Sequence, residues 1–260
     1  MRSVKLREIA HYIAAALAAL IGFFGVPLAC YALFPQMSLL VEYLANAVML
    51  IMMFAVPALL IVSARPQRLQ RFKGLIKRPT SETAGLCMLC AVSATVMVSL
   101  IVSVWLPYAE MLAGHKLENP PLPVPENGQE WALSLLCIAV VPAICEELFF
   151  RGFVQPALAQ RFPRAALWIT AVCFAALHFE PAAFPGLLLV GWLLGMLLEK
   201  HGLLAGMLFH AVYNAVVLIL STVSSGIGLF GVFLSVMAYI FTVRRLKKEE
   251  NIHAVNGSGV

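Results

Sequence analysis

Long apolar runs constrain the fold of this chain more strongly than any single motif does. A helix needs about 20 consecutive apolar residues to cross the hydrocarbon core of a bilayer, and such runs recur along the whole sequence. Hydrophobic residues make up 62% of the chain and charged residues only 12%, whereas a soluble domain carries roughly 25% charged residues. The mean hydropathy is +0.90. We therefore expect a polytopic membrane protein whose surface is in contact with lipid.

Short polar segments separate the apolar runs. We predict an all-α fold, a polytopic membrane bundle of about eight transmembrane helices. The runs cover residues 9–34, 39–62, 82–106, 131–153, 165–179, 184–198, 203–223 and 226–243. Because the fifth and sixth runs are short, we expect them to be tilted less than the others or to lie inside the bundle.

Basic residues are distributed unevenly among the loops. They cluster before the first run and after the second, fourth and eighth, whereas the alternate loops contain Lys116 as their one lysine or arginine. The positive-inside rule then places both termini in the cytoplasm, as an even number of spans requires, and we expect a bacterial inner membrane. The formal net charge of +5 comes largely from these loops, so we expect no nucleic-acid partner.

The chain divides into three predicted parts. Residues 1–130 would hold three spans and a Pro-rich outer loop, residues 131–223 a core that carries the chemistry, and residues 224–260 the last span and a cytoplasmic tail. The loop over 107–130 contains four closely spaced prolines and is predicted to be extended. We expect the tail, 247–260, to be disordered.

Cysteines and glycines in the apolar runs suggest packing rather than chemistry. Cys87 and Cys90 have CxxC spacing, but no second pair of Cys or His follows at the spacing of a zinc site. We expect both to be buried core residues. Gly191 and Gly195 have the spacing of small residues that let membrane helices approach closely, and we predict packing within this chain rather than dimerisation.

The fourth run carries two adjacent carboxylates and a guanidinium. Ionisable groups at membrane depth are costly, so they mark functional sites and need partners. On a helix, Glu147 and Arg151 are four residues apart with the acid first, which is the favourable order for an ion pair. Glu146 is turned by about 100° from Glu147 and points elsewhere. We predict that Arg151 neutralises Glu147 and that Glu146 is left to do chemistry.

Two further pairs of residues have helical spacing, Phe174 with His178 and His210 with Asn214. A spacing of four puts both members of a pair on one helix face, so Phe174 would pack beneath the His178 ring. A carboxylate near a histidine can take a proton from water, and a His/Asn pair can stabilise an oxyanion. Since the chain lacks GxSxG, HExxH and HxE…PCxxC motifs, these residues favour another kind of hydrolase.

A zinc site is an open alternative for the same side chains. Glu146, His178 and His210 could together hold a zinc ion that keeps one coordination position free. They could equally act on water directly. The residues do not decide the cofactor: a zinc ion and no cofactor at all both stay open.

In order along a polytopic chain, EExxxR, FxxxH and HxxxN resemble the motifs of the CPBP family of intramembrane proteases. That family includes the CAAX prenyl endopeptidase, the Ras-converting enzyme, and bacterial proteins linked to bacteriocin processing or self-immunity. The resemblance covers residues 131–223. The family has been described both as metalloproteases and as metal-independent glutamate proteases, so the resemblance does not decide between zinc and no cofactor.

The resemblance implies a role for each motif residue. Glu146 would be the principal catalytic carboxylate and would activate water together with His178. His210 and Asn214 would form the oxyanion site. The supporting residues would be Glu147, Arg151 and Phe174.

The expected activity is hydrolysis of a peptide bond within or beside the bilayer. The substrate would be a peptide or the terminus of a membrane protein, prenylated in the case of the eukaryotic relatives. One alternative is a non-catalytic immunity or scaffold protein that uses the same cavity for binding. Another is a proton-coupled transporter, which would also use buried Glu and His but for which the sequence offers no inverted repeat.

The predicted spans place two of these residues at different depths. Glu146 would lie roughly 22 Å from the outer end of its span, and His178 only about 5–10 Å from the outer end of its own. For the two side chains to meet, the fifth span must start before residue 165 or be short and sunk toward the cytoplasm.

Overall fold

The protein is described here from a computed structural model over residues 2–34, 36, 38–117, 125–222 and 229–256. This part of the chain is all-α, as predicted. Its helices are α1 (residues 2–33), α2 (Leu39–Ser63), α3 (Pro66–Leu75), α4 (Ser81–Ala113), α5 (Gly128–Ala159), α6 (Ala166–Ala176), α7 (Phe184–His201), α8 (Leu203–Ser221) and α9 (Leu229–Asn256).

Each of the eight predicted apolar runs contains a helix. Five helices, α1, α2, α4, α5 and α8, are long and apolar enough to cross a membrane. The chain is therefore an integral membrane protein. α7 has 18 residues, whereas α6 has only 11 and is about 16 Å long. α6 is therefore the short helix that is needed for His178 to lie at the depth of Glu146.

Helices α4 and α8 lie at the centre of the bundle. α4 packs against α7, α8 and α9, while α8 also packs against α5 and α7. On one side α2 joins α5 to α1, and on the other α6 lies on α7. The main hydrophobic core is shared by α2, α4, α5, α7 and α8, with Val243 and Leu246 contributed by α9. This arrangement brings α5, α6 and α8, which carry the three motifs, around one buried region.

Four prolines each follow a π-helical stretch inside a long helix. The π turns cover Ile21–Gly25, Ile51–Ala55, Leu135–Val140 and Phe150–Val154, and the prolines that follow them are Pro27, Pro57, Pro142 and Pro156. Proline has no N–H and its ring clashes with the carbonyl of the preceding turn. A locally wider turn accommodates that ring without ending the helix. This is how Pro142 perturbs α5 just before its carboxylates.

Side-chain caps and glycines define several helix ends. Thr80 accepts a hydrogen bond from the Thr83 N–H at the start of α4, and Asn127 accepts bonds from the first turn of α5, which supplies partners for otherwise unpaired N–H groups. α4 ends at Gly114, which has a φ of 73°. Gly202, with a φ of 87°, separates α7 from α8; both angles suit glycine because it lacks a Cβ.

Three predicted loop regions are helical in part. α4 continues through Pro107 to Ala113, so the extended outer loop was predicted to begin too early. Of its prolines, Pro120, Pro121 and Pro123 lie outside the described residues. The tail was predicted to be disordered, yet α9 runs to Asn256, and residues 257–260 lie outside the description. The basic segment after the second span, expected to be a loop, forms α3.

The packing predictions for glycine and cysteine are confirmed. A Cβ on Gly191 would lie 3.0 Å from the Ala171 Cα, and one on Gly195 would lie 2.9 Å from the Leu167 side chain. Both glycines therefore let α7 approach α6 within one chain. Cys87 and Cys90 are buried in the main core, and none of the six cysteines forms a disulfide. The division into three parts and the orientation of the termini stay predictions.

Candidate active site

A buried polar stripe runs along α5. Glu147 and Arg151 are fully buried, and Gln155, one turn further on, is almost so. The three residues are spaced by four, which places them on one helix face. Arg151 Nη1 donates to Glu147 Oε1 at 2.9 Å, as predicted, and Arg151 Nη2 donates to the Gly191 carbonyl of α7 at 2.8 Å. The guanidinium thus joins α5 to α7 while it neutralises a carboxylate.

Phe174 of α6 lies at the meeting point of the three motifs. The Arg151 guanidinium carbon is 4.7 Å from the centre of the Phe174 ring. The centre of the His178 ring is 4.7 Å and that of His210 5.8 Å from the same point. Phe174 itself is buried. As predicted, it packs against His178, and it also contacts the charged pair of α5 and a histidine of α8.

His178 is half-buried near the end of α6. Its Nδ1 lies 2.8 Å from the Phe174 carbonyl oxygen. A carbonyl can only accept a hydrogen bond, so Nδ1 carries the proton and donates it. This bond fixes the orientation of the ring and leaves Nε2 available as the second nitrogen.

His210 of α8 is buried and faces both carboxylates of α5. Its Nδ1 lies 3.2 Å from Glu147 Oε1. Since the same oxygen already accepts a hydrogen bond from Arg151, it acts as an acceptor, and Nδ1 of His210 is the donor. Its Nε2 lies 3.9 Å from Glu146 Oε2, too far for a direct hydrogen bond. Glu147 therefore holds His210 by one nitrogen, and the other nitrogen is directed to Glu146.

The surroundings of Glu146 differ from those of its neighbour. Glu146 is buried at 8% exposure, and its Oε2 accepts no hydrogen bond from the described part of the chain. Both His178 and His210 lie close enough to interact electrostatically with its charge. Glu146 is thus a buried carboxylate that the described residues leave without a hydrogen bond.

Asn214 lies one turn after His210 on the same face of α8, as the spacing predicts. Its side chain is half-buried, and it makes no hydrogen bond with any described residue. The amide is therefore available to a bound molecule.

Two features of the site were not predicted. Gln155 Nε2 donates to the Gly195 carbonyl at 3.3 Å and to Glu199 Oε1 at 3.2 Å, so it extends the stripe of α5 toward the end of α7. A Cβ on Gly206 would lie 3.2 Å from Glu147 Oε2, so this glycine allows α8 to approach the carboxylate. The position of Gln155 could have been predicted, because it lies four residues after Arg151 and so on the same helix face. The role of Gly206 could not, because it depends on how α8 packs against α5.

A zinc site was the predicted alternative for these side chains. Ligand atoms around a tetrahedral zinc ion are about 3.3 Å apart, whereas His210 Nε2 and Glu146 Oε2 are 3.9 Å apart. Within the described ranges, no three His, Cys, Asp or Glu side chains form a group that could hold a metal ion. The arrangement as it stands does not fit zinc, and the chemistry below uses no metal.

Comparison with known proteins identifies the segment that carries these motifs. Residues 128–216 match the family model described as Rce1-like, Type II CAAX prenyl endopeptidase. No curated protein and no solved structure matches the chain. The matched segment begins with α5, ends in α8 and contains all of the site residues named above. The segment that carries the motifs is therefore similar to the Rce1-like family, the resemblance that the motifs themselves predicted.

Proposed function

We propose that the chain is an intramembrane endopeptidase in which Glu146 activates the attacking water. The observation that carries the proposal is the contrast at the centre of the site. Glu147 accepts hydrogen bonds from Arg151 and His210, both through Oε1, whereas neither oxygen of Glu146 accepts one from the described residues. The Oε2 atoms of both carboxylates are buried without a donor. The match to a protease family supports a hydrolytic role for that free carboxylate.

The reaction is addition of water across a peptide bond. Glu146, with His178 beside it, accepts a proton from water, and the resulting hydroxide adds to the scissile carbonyl carbon. The carbonyl oxygen takes up the negative charge. Glu146 then returns its proton to the leaving amine as the C–N bond breaks, so the products are a carboxylic acid and an amine.

His210 and Asn214 are proposed to stabilise the oxyanion. Asn214 would donate through its side-chain amide, and His210 through Nε2, since its Nδ1 is already bound to Glu147. With both nitrogens protonated, His210 and Arg151 would balance the charges of Glu146 and Glu147. The pre-positioned donors would then act in a buried site of no net charge, where such hydrogen bonds are strong.

The proposed substrate is the terminal segment of a membrane-bound peptide or protein. The site is built from helices of the bundle, so a substrate would be presented from the bilayer rather than captured from solution. Prenylated C-terminal peptides are the first class to test, because the family model is that of a prenyl endopeptidase.

A cleavage assay on detergent-purified protein tests this function. Prenylated and unprenylated C-terminal peptides of the same sequence would be incubated with the wild type, Glu146→Gln and Glu126→Gln, an exposed carboxylate outside the site. We expect Glu146→Gln to reduce turnover by about 10²–10⁴-fold, the usual contribution of a general base. Glu126→Gln should cleave at the wild-type rate.

The same assay separates the competing functions. Each reaction would be run with and without a strong chelator, and loss of cleavage that zinc restores would replace the metal-free mechanism. An immunity or scaffold protein would retain its binding in Glu146→Gln, since the change preserves shape, and would cleave nothing in the wild type. Cleavage that is undiminished in Glu146→Gln would reject the assignment of the base.

A further inference from the structure

A second site of distinct character lies where α2 and α5 end. Two adjoining cavities, each of about 570 Å³, lie between α3 and the last turns of α5. They share Arg68, Arg71, Phe153, Ala157 and Gln160. We call their combined space the α3 groove. Neither the site residues nor the matched motifs include any of its shared side chains.

One wall of the α3 groove is apolar. Phe72 of α3 packs closely on α5, where a Cβ on Gly152 would lie 2.8 Å from its ring. Val62, Leu75 and Phe153 continue this wall. Phe72 is buried and Phe153 half-buried. The wall is thus an apolar track beside an amphipathic helix, with room for a chain of methylene groups.

The rim of the α3 groove is cationic. Its lining includes Arg65, Arg68 and Arg71 and contains no Asp or Glu among the described residues. These arginines differ in how many of their N–H donors are bound by other groups of the protein. Arg65 is committed to Glu8, which it contacts through Nε and Nη2.

The other two arginines of the rim keep donors available. The Arg68 guanidinium lies 5.6 Å from the centre of the Tyr12 ring, and its Nη1 donates to the Ile61 carbonyl at 3.4 Å. A guanidinium has five N–H donors, so several remain. Arg71 is exposed and pairs with no described residue. Two positive charges therefore face the groove. Glu8, which pairs with Arg65, also interacts with Arg68 at longer range, whereas Arg71 has no carboxylate partner among the described residues.

The position of the α3 groove points to the membrane as the source of its ligand. α2 and α5 both have the length and hydropathy of spanning helices, and the groove lies at their final turns. Lipid headgroups meet water at this level of a bundle. Unbalanced arginines at that level attract anionic headgroups, while an apolar wall would contribute nothing to the binding of a small inorganic anion.

We propose that the α3 groove binds an anionic phospholipid, with its phosphate on Arg68 and Arg71 and an acyl chain along Phe72, Leu75 and Phe153. Arginine suits this role because its planar fork matches the oxygens of a phosphate. The inference does not depend on the proposed hydrolysis, since the groove shares no side chain with the candidate active site.

The test is lipid binding to the full-length protein in an uncharged detergent. Phosphatidylglycerol and phosphatidylcholine with identical acyl chains would be titrated, and bound lipid measured by native mass spectrometry. Glycerol phosphate, which has the anionic headgroup without the chains, is the third ligand. We expect phosphatidylglycerol to bind tightest, because only it offers both the charge and the chain.

Charge-neutralising variants locate the site. Arg71→Gln should weaken phosphatidylglycerol binding about fivefold, and Arg68→Gln with Arg71→Gln about 25-fold, since each basic residue near a headgroup contributes by that factor. Arg71 has no partner among the residues that the structure describes, so its single variant should keep the wild-type thermal stability. The matched control is Arg161→Gln with Arg164→Gln, which removes two exposed charges outside the groove lining.

Each outcome bears on the proposal. Weaker binding in the Arg71 variants and unchanged binding in the control and in Glu146→Gln would support it. Equal weakening in the control would show general attraction to a basic surface and overturn the site. Equal binding of the two phospholipids would show that the groove does not recognise the anionic headgroup. If glycerol phosphate bound as tightly as phosphatidylglycerol, the acyl chain would have no part in binding. Either result would overturn the proposal.

Discussion

Two carboxylate–arginine pairs in different regions of the molecule show how burial changes the role of the same chemistry. At the edge of the bundle, Glu8 of α1 pairs with Arg65, and this pair is open to water on one side: the Arg65 side chain is 52% exposed and that of Glu8 10%. In the core, Glu147 pairs with Arg151, and neither side chain is exposed at all. The first pair can exchange its partner for water, whereas the second has only protein groups around it.

The buried pair is also embedded in further contacts. Arg151 binds the Gly191 carbonyl and lies over the Phe174 ring, while Glu147 accepts a bond from His210. Removing one partner of such a pair leaves an uncompensated buried charge, but an exposed pair contributes little because water replaces the lost partner. The comparison teaches that the same pair of charged groups contributes more to the fold when both members are buried than when one of them is open to water.

The largest expected difference in stability is between two alanine substitutions, Arg151→Ala and Arg65→Ala. Arg151→Ala should destabilise the protein by about 3–5 kcal/mol, because it strands the Glu147 carboxylate inside the bundle. Arg65→Ala should lower the thermal unfolding temperature in detergent much less, because water can reach Glu8 from the side that the half-exposed arginine leaves. Folded yield after size-exclusion chromatography and thermal unfolding would measure both.

Glu147→Gln with Arg151→Met serves as the control for this comparison. It removes both charges together and should recover part of the stability lost in Arg151→Ala, because no unpaired charge remains. Equal stability of Arg151→Ala and Arg65→Ala would contradict the role assigned to burial.

Substitution of Asn214, in the same buried region, should change catalysis and not stability. Because its side chain has no hydrogen bond to the described residues, Asn214→Ala should unfold at the wild-type temperature. Loss of an oxyanion donor should lower kcat by about 10²–10³-fold and leave KM nearly unchanged. Steady-state kinetics on a cleaved peptide would measure the split. An effect confined to KM would assign Asn214 to substrate binding instead.

The local geometry of the site could be predicted from the sequence because helical spacing determines which side chains share a face. The Glu147–Arg151 pair and the packing of Phe174 on His178 follow from a spacing of four. The all-α membrane bundle follows from the apolar runs, since backbone groups in lipid must find partners within each segment.

Features that depend on contacts between helices could not be predicted in this way. Nothing in the spacing indicates that His210 binds Glu147 rather than Glu146, because that choice depends on how closely Gly206 lets α8 approach α5. The π turns before the prolines change the rotation of side chains along a helix, which no regular period describes. α3 is another such feature, because its many basic residues obscure the short apolar face that packs on α5.

The most direct test of the account is a comparison of Glu146→Gln with Glu147→Gln, two isosteric changes at adjacent positions. Thermal unfolding and peptide cleavage would be measured on both proteins. We predict that Glu146→Gln keeps the wild-type unfolding temperature and loses cleavage, whereas Glu147→Gln unfolds at a clearly lower temperature because Arg151 loses its counter-ion. The reverse pattern, a destabilised Glu146→Gln and a stable but inactive Glu147→Gln, would contradict the division of roles between the two carboxylates.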